Sequence, residues 1–344
     1  MPGKKPRVVV FYGGSASNHD LSTETGQWVC QYVPREQYDV TPVEITPEGL
    51  WKVPLGSLPR SGSIGRTLQM LSQAVPALAP DRALERLLHH PVQSIFTLVR
   101  GHGGDDGSMH SLGSALRIPV VGSPHHTCQR TSDKYLFSNT INDITTTPHT
   151  RRFRKGTAVE DVLADIQDEF LPPVFVKPVT EEGSIGIERV ETPAELENAI
   201  RKHLTMTDII LQEYRGGTEI AVTLTEDARG KIIALPPTII VPQKATFYDH
   251  LAKRRAGRVT LHTPTTQDNP VIAEATEIAR DVYDELGCKG VATIDMITND
   301  DTVDVLEVNT VPTLSQLTPL QHQLKKAGLH PSTFFDSLIK RSWV

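Results

Sequence analysis

The chain reads as a three-domain protein of α/β and α+β class, in which a parallel-sheet domain is followed by two smaller mixed units. Three observations predict this. Strand and helix patterns alternate through the first third, they recur in two shorter groups after about residue 125, and 344 residues suffice for two or three separate cores. Strand-like Val8 to Phe11 opens the first domain (residues 1–125). A helix-like Leu21 to Val33 follows, then strand-like Val40 to Ile45, Ser94 to Val99 and Pro119 to Val121. Residues 46–80 are rich in Pro, Gly and Ser around a helical Thr67 to Val75, and are expected to form a surface excursion rather than core. The second unit (126–211) begins with helical Asp133 to Asn142, a Thr-rich loop at 145–150 and a helix over 159–170. It continues with strand Val174 to Lys177, a Gly-bearing turn, strand Ile187 to Val190, helix Pro193 to His203 and strand Ile209 to Glu213. The third unit (212–344) has strands at Glu219 to Leu224, Ile232 to Leu235 and Thr238 to Val241, then a polar loop over 242–266. A long helix Val271 to Leu286, two further strands and helices at Leu320 to Lys326 and Thr333 to Lys340 complete it.

Composition narrows the function classes. At 38% hydrophobic and 22% charged residues the chain is an ordinary globular protein, so disorder is not expected. A net charge of -6 argues against a nucleic-acid binder, which would carry clustered Lys and Arg, and leaves small molecules as the expected partners. Cys30, Cys128 and Cys288 are odd in number and lack CxxC spacing, so neither a disulfide framework nor a zinc site is implied and a reducing cytoplasm is expected. The short basic start runs directly into a strand, and no long apolar run occurs, so neither secretion nor a membrane is expected. The scattered histidines, among them His102, His110, His125 and His126, are expected in loops, and Arg151, Arg152, Arg154 and Lys155 as a solvated charge run.

Alternation over Thr293-Ile294-Asp295-Met296-Ile297 and Asp304-Val305-Leu306-Glu307-Val308-Asn309 places Asp295, Glu307 and Asn309 on one face of two adjacent strands. Three converging oxygen ligands suit Mg²⁺, which takes few protein ligands and completes its shell with water and phosphate oxygens. Lys177 ends an apolar strand, and Glu182-Gly183-Ser184-Ile185-Gly186 follows; such a hairpin can turn backbone N–H groups inward as an anion nest beside the ammonium. Taken alone, Lys-Pro and a Gly hairpin are equally compatible with turn chemistry, and Lys134, after Ser132-Asp133 at a helix start, with a solvated helix residue.

Lys134, Lys177, the Gly hairpin, Glu213, Glu219, Asp295, Glu307 and Asn309 occur in the order used by ATP-grasp enzymes. Over nearly its whole length the chain resembles the D-alanine D-alanine ligases. The likeness also rests on Tyr12-Gly13-Gly14-Ser15-Ala16, Gly103-Gly104-Asp105-Asp106-Gly107-Ser108, Thr246-Phe247-Tyr248-Asp249 with Ala252-Lys253, and Leu286-Gly287-Cys288-Lys289-Gly290. The resemblance implies a three-domain ATP-grasp fold and a reaction in which ATP phosphorylates a carboxylate and an amine displaces the phosphate. It implies ATP and two Mg²⁺ as cofactors, with Mn²⁺ able to substitute. Glu307 would bridge the metals, with Asp295 and Asn309 each holding one. Glu219 would hold the ribose, Gln212, Glu213, Tyr214 and Arg215 the adenine, and Lys134, Lys177, Glu182, Gly183, Ser184, Ile185 and Lys253 the phosphates. Asp20, matching a family Glu, would take the substrate ammonium. Lys253 lies on the polar loop that would close over the site and exclude water. Dimerisation through the N-terminal domain is a family habit.

The substrate side departs from the family pattern. The family's His before the Gly-rich loop aligns with Arg100, its Arg before the first metal Asp with Thr293, and its Tyr after the lid Lys with Arg254. Glu182-Gly183-Ser184 stands for Gly-Ser-Ser, leaving Ser184 as the one matching serine, and Pro312-Thr313-Leu314 stands for Pro-Gly-Met. Loss of one oxyanion donor costs about 2.7 to 4 kcal/mol, so Arg100 or Arg254 is expected to replace the missing Arg, or the electrophile differs. The leading expectation is an ATP-dependent carboxylate–amine ligase with divergent amino-acid or acid substrates. Its alternatives are a true D-alanine D-alanine ligase of cell-wall synthesis, a mycosporine-type imine-forming ligase, and a degraded ATP-binding sensor.

Overall fold

The computed structural model describes residues 5–14, 18–167, 169–181, 183–243, 257–264, 269–299, 302–314 and 318–344. Its first third runs β1 (Arg7–Gly13), α1 (His19–Tyr32), β2 (Asp39–Ile45), β3 (Trp51–Lys52), α2 (Ile64–Ala74), β4 (Ala77–Leu78), α3 (Pro80–Leu88), β5 (Ser94–Thr97), α4 (Ser108–Leu116) and β6 (Val120–Val121). The strands form one sheet in the order β4-β3-β2-β1-β5-β6. Central β1 is an unbroken apolar run whose Val8 to Phe11 are fully buried, as a strand covered on both faces requires. It runs parallel to β2 and β5, and β5 parallel to β6. Gly13, at φ +92°, ends β1 where a Cβ would fall 2.1 Å from the Ile45 carbonyl oxygen, so only glycine fits this turn into α1.

Residues 46–80 differ from the expected surface excursion. β3 pairs antiparallel with β2 and β4 antiparallel with β3, extending the sheet, and Trp51, Val53, Leu58, Ile64 and Leu68 are buried. Trp51 meets Phe11 edge-on with ring centroids 5.1 Å apart. Single apolar residues spaced among Pro and Gly supply this core, so no run of hydrophobicity betrays it.

The middle of the chain contains α5 (His125–Ser132), α6 (Lys134–Ile141), β7 (Thr150–Phe153), α7 (Val159–Asp165), β8 (Val174–Pro178), β9 (Glu188–Val190), α8 (Pro193–Leu204) and β10 (Ile209–Glu213). Antiparallel strands in the order β7-β10-β8-β9 pack under α7 and α8. Asp133 caps α6, its carboxylate accepting from the Tyr135 and Leu136 amides at 3.0 and 2.9 Å. Arg151 and Arg152 of the predicted charge run lie on β7 and Arg154 and Lys155 follow it; Arg152, Arg154 and Lys155 are exposed as expected, while Arg151 pairs with Asp165 and Glu169, and Arg152 with Asp133 and Asp208. His110 lies in α4, and His125 and His126 open α5, so these three are helical rather than loop residues. Burial pushes the His110 imidazole down to about 4, which keeps it neutral at physiological pH.

The last part comprises β11 (Thr218–Glu226), β12 (Ile232–Ala234), β13 (Thr238–Pro242), β14 (Val259–His262), α9 (Pro270–Glu285), β15 (Val291–Thr298), β16 (Val303–Asn309), α10 (Pro319–Lys326) and α11 (Pro331–Arg341). Its sheet runs β14-β13-β11-β15-β16, with β12 added to β11. Asn269 caps α9 and Pro270 opens it, and the helix buries Ile272, Ala275, Ala279, Val282 and Tyr283 against the sheet. Phe137 and Ile141 of α6 join that core. The two terminal helices turn back to the first sheet, where Phe334, Phe335, Leu338 and Ile339 pack with Trp28 and Phe96. Among the described residues no helix is long and apolar enough to cross a membrane.

Candidate active site

Two cavities meet at Asp295, between the middle sheet and the last one. The first is lined by Lys134, Lys177 and Ser184 on one side, by Gln212, Glu213, Tyr214, Arg215 and Glu219 across the crossing from β10 to β11, and by Asp295 and Glu307 at its floor. Ten of the residues singled out from sequence therefore share one cleft. Gly183 lines the second cavity with Arg100, Thr293, Asp295, Asn309 and Thr313. Ile185 lines neither; Ile187 does. Glu182, Lys253 and Arg254 lie outside the described residues, as does the loop segment 244–256.

Strand geometry explains the convergence. In β8 the side chains of Phe175 and Lys177 alternate with buried Val174, Val176 and Pro178, so ring and ammonium share the cleft face. The Lys177 ammonium lies 5.0 Å from the Phe175 ring centroid and donates to the Gln212 amide oxygen. Lys134, buried at the start of α6, donates to the Glu181 carbonyl on the hairpin. Lys134 is thus tethered to the Gly hairpin and Lys177 to β10, and both line the same cleft. In the hairpin Gly183, Ser184 and Gly186 have φ of +72°, +61° and +71°. Ser184 pays a non-glycine penalty of roughly 1 to 3 kcal/mol for this shape, as residues at ligand clamps often do.

A register shift sets the acidic floor. Asp295 pairs with Glu307 but Met296 pairs with Val305, so Leu306 is an unopposed extra residue in β16. The bulge lets Leu306 and Glu307 both face the cleft, while Val305 and Val308 stay in the core. Asp295 and Glu307 are consequently cross-strand neighbours, and like charges so placed repel. The Asn309 amide nitrogen sits between them, donating to Asp295 Oδ2 at 2.9 Å and approaching Glu307 Oε1 at 3.4 Å. The two carboxylates offer oxygen donors that fit Mg²⁺, whose remaining positions phosphate oxygens and water would fill, while the Asn309 amide turns its nitrogen to them and its oxygen to Arg100 and would join the set by turning over. Among the described residues no cluster of three His, Cys, Asp or Glu side chains offers an alternative metal site.

Sequence reasoning missed the apolar walls Pro148, Phe175, Ile187, Ile240, Ile297 and Leu306, which give a flat base a dry surface. Phe175 was legible two residues before Lys177; Leu306 was not, because its exposure depends on the bulge. Tyr214 is covered by Arg189, whose guanidinium carbon lies 4.2 Å from the ring centroid. Asn18 was also missed. It is 1% exposed, neither its Oδ1 nor its Nδ2 has a hydrogen-bond partner, and a Cβ on Gly183 would approach Oδ1 to 3.0 Å. Asp20, named in its place from sequence, is exposed in the first turn of α1. The three cysteines are buried, and burial raises each thiol to about 12, so none is poised as a nucleophile.

The family models for the D-ala D-ala ligase N-terminus and C-terminus match residues 7–123 and 142–340. A D-alanine--D-alanine ligase of Leptospira biflexa serovar Patoc is 27% identical over 350 residues, covering 98% of this chain and 99% of that protein. Among solved structures, the VanG D-Ala:D-Ser ligase from Enterococcus faecalis superposes with a TM-score of 0.82 at 23% identity, covering 98% of this chain and 100% of that one. The D-alanine-D-alanine ligase from Coxiella burnetii gives 0.80 at 20% identity, covering 99% and 94%. These two likenesses speak for the fold. With both halves matched in order around this cleft, the chain belongs to the D-alanine D-alanine ligase family and is an ATP-dependent, amide-forming ligase of the ATP-grasp fold.

Proposed function

We propose that this chain phosphorylates a small acid or amino acid on its carboxylate and joins it to an amine, with at least one substrate other than D-alanine. The reading rests on one observation: the nucleotide cleft opens at Asp295 into a second cavity whose wall carries Thr293, a hydroxyl, where the family has a guanidinium. The buried neutral Asn18 in the same region supports divergent substrates too, since an ammonium group is better met by a carboxylate.

The residues divide the work. Lys134 and Lys177 neutralise the phosphates beside the hairpin N–H groups, Glu219 takes the ribose hydroxyls, and Gln212 to Arg215 line the base. Asp295, Glu307 and Asn309 would hold Mg²⁺, or Mn²⁺ in its place, which would supply charge screening between the phosphoryl oxygens and the attacking carboxylate. The amine then attacks the acyl carbon, so that the C–N bond forms as the C–O bond to phosphate breaks, and the amine's proton leaves to solvent or to the departing phosphate. Residues 1–125 supply the acid-side wall, 126–211 the hairpin, and 212–344 the metal strands, in a reducing, cytoplasmic setting.

The test is phosphate release from Mg²⁺ and ATP in the presence of pools of D- and L-amino acids and small acids, with mass spectrometry of each active well. Release with pools lacking D-alanine supports the reading; release with D-alanine alone overturns it in favour of a true D-alanine D-alanine ligase. Lys177→Ala is expected to weaken ATP about tenfold or more through loss of a charge-assisted contact, read as a rise in KM for ATP.

A further inference from the structure

Arg100, Thr293 and Thr313 each depart from the family pattern, and although distant in sequence they line one cavity. Their contacts are direct. Arg100 is 4% exposed, and its Nη1 donates to Thr313 Oγ1 at 2.8 Å and to the Val311 carbonyl at 2.7 Å. Its Nη2 donates to Asn309 Oδ1 at 3.1 Å, and its Nε lies 4.0 Å from Asp105 Oδ2. Asp105 is itself held by the Gly101 amide at 2.9 Å. Glycine at position 313 would offer no side-chain acceptor, so the bond exists only because two departures occur together. Thr293 completes the arrangement: its hydroxyl is turned to Thr223 Oγ1 at 2.8 Å, and among the described lining residues Arg100 is the one guanidinium. A second guanidinium on that wall would face Arg100 at close range in a poorly solvated space and repel it.

We propose that these residues form one compensated unit, in which Arg100 is the cation facing the transferred phosphate and the reacting carbonyl oxygen, and Thr313 is its positioning residue. The charge stabilisation has been moved from β15 to the opposite wall and is keyed to the 311–313 loop. That loop is in turn anchored, since Thr318 Oγ1 donates to the Thr313 carbonyl at 3.0 Å and the Leu314 amide to Thr25 Oγ1 at 3.3 Å. Arg100 also orients the Asn309 amide oxygen, so the anion side and the metal side share one guanidinium. This inference rests on the proposed reaction and adds residues to it.

The experiment uses the full chain saturated with Mg²⁺ and ADP, into which inorganic phosphate, as product and stand-in for the transferred group, is titrated by calorimetry. Thr313→Val keeps the side-chain shape and removes the hydroxyl; it is expected to weaken phosphate about tenfold, the size of one lost hydrogen bond to a charged group. Thr313→Ser restores the affinity. Arg100→Met weakens phosphate at least as much, and adding Thr313→Val to it costs nothing further, because no guanidinium remains to be placed. With the substrates from the screen, Thr313→Val lowers kcat and leaves KM for ATP unchanged. Unchanged phosphate affinity in Thr313→Val, or losses that add in full in the double variant, overturns the inference while Mg²⁺-ADP still binds. Failure of the unmodified chain to bind Mg²⁺-ADP overturns the proposed reaction, and this inference with it.

Discussion

Glu307→Gln is expected to lower ATP-dependent phosphate release by about three orders of magnitude or more, because it removes charge from the residue assigned to both metal positions. The substitution keeps the volume and the strand pairing with Asp295. In the absence of metal the chain should be as stable as before or slightly more so, since two neighbouring carboxylates no longer repel. Adding Mg²⁺ and ADP should raise the melting temperature of the unmodified chain and raise that of the variant much less, by linkage of binding to folding. The two readouts are independent of the amino-acid substrates. A variant that turns over normally, or gains the full thermal shift, removes Glu307 from the metal site.

Phe335→Ala should be the most damaging single change to stability away from the cleft, at about 3 to 5 kcal/mol for deleting a fully buried ring. Phe335 meets Trp28 of α1 with centroids 5.3 Å apart and planes at 84°, and Phe96 of β5 at 5.9 Å and 71°. These edge-on contacts tie the last helix to the first sheet, and neither partner can fill the void without leaving its own packing. Urea unfolding followed by tryptophan fluorescence reads the loss, with Trp28 as the reporter. A midpoint unmoved by the substitution would mean that α11 does not carry this core.

Strong periodicity was legible. Central β1, the capped α9 and the apolar β8 all announce themselves, since a buried strand or an amphipathic helix writes its burial into consecutive residues. The nucleotide cleft was legible for a different reason: charged residues at strand ends carry chemistry that few structural roles require. Short strands were not. β3 and β7 are held by neighbours rather than by their own pattern, and Arg151 and Arg152 look like a solvated run until Asp133, Asp165, Glu169 and Asp208 close around them. Asn18 stands where a helix cap would, yet its side chain caps nothing, and its approach to Gly183 joins segments far apart in sequence, which no local pattern announces. The Arg100 to Thr313 contact spans two separate units, and no local signal could join them.

The extra residue in β16 has a consequence for how this site tolerates change. Because side chains alternate across a strand, Val305 and Glu307 would share a face in a regular β16, and the bulged Leu306 is what sets them on opposite ones. Shortening β16 by this one leucine would restore plain alternation, with Val305 and Val308 still in the hydrophobic layer and Glu307 and Asn309 still toward the cleft, and would take the leucine out of the nucleotide wall. Loss of Leu306 should therefore spare the facing of the acidic ligands, so the position governs the apolar wall of the cleft rather than the orientation of its metal side chains.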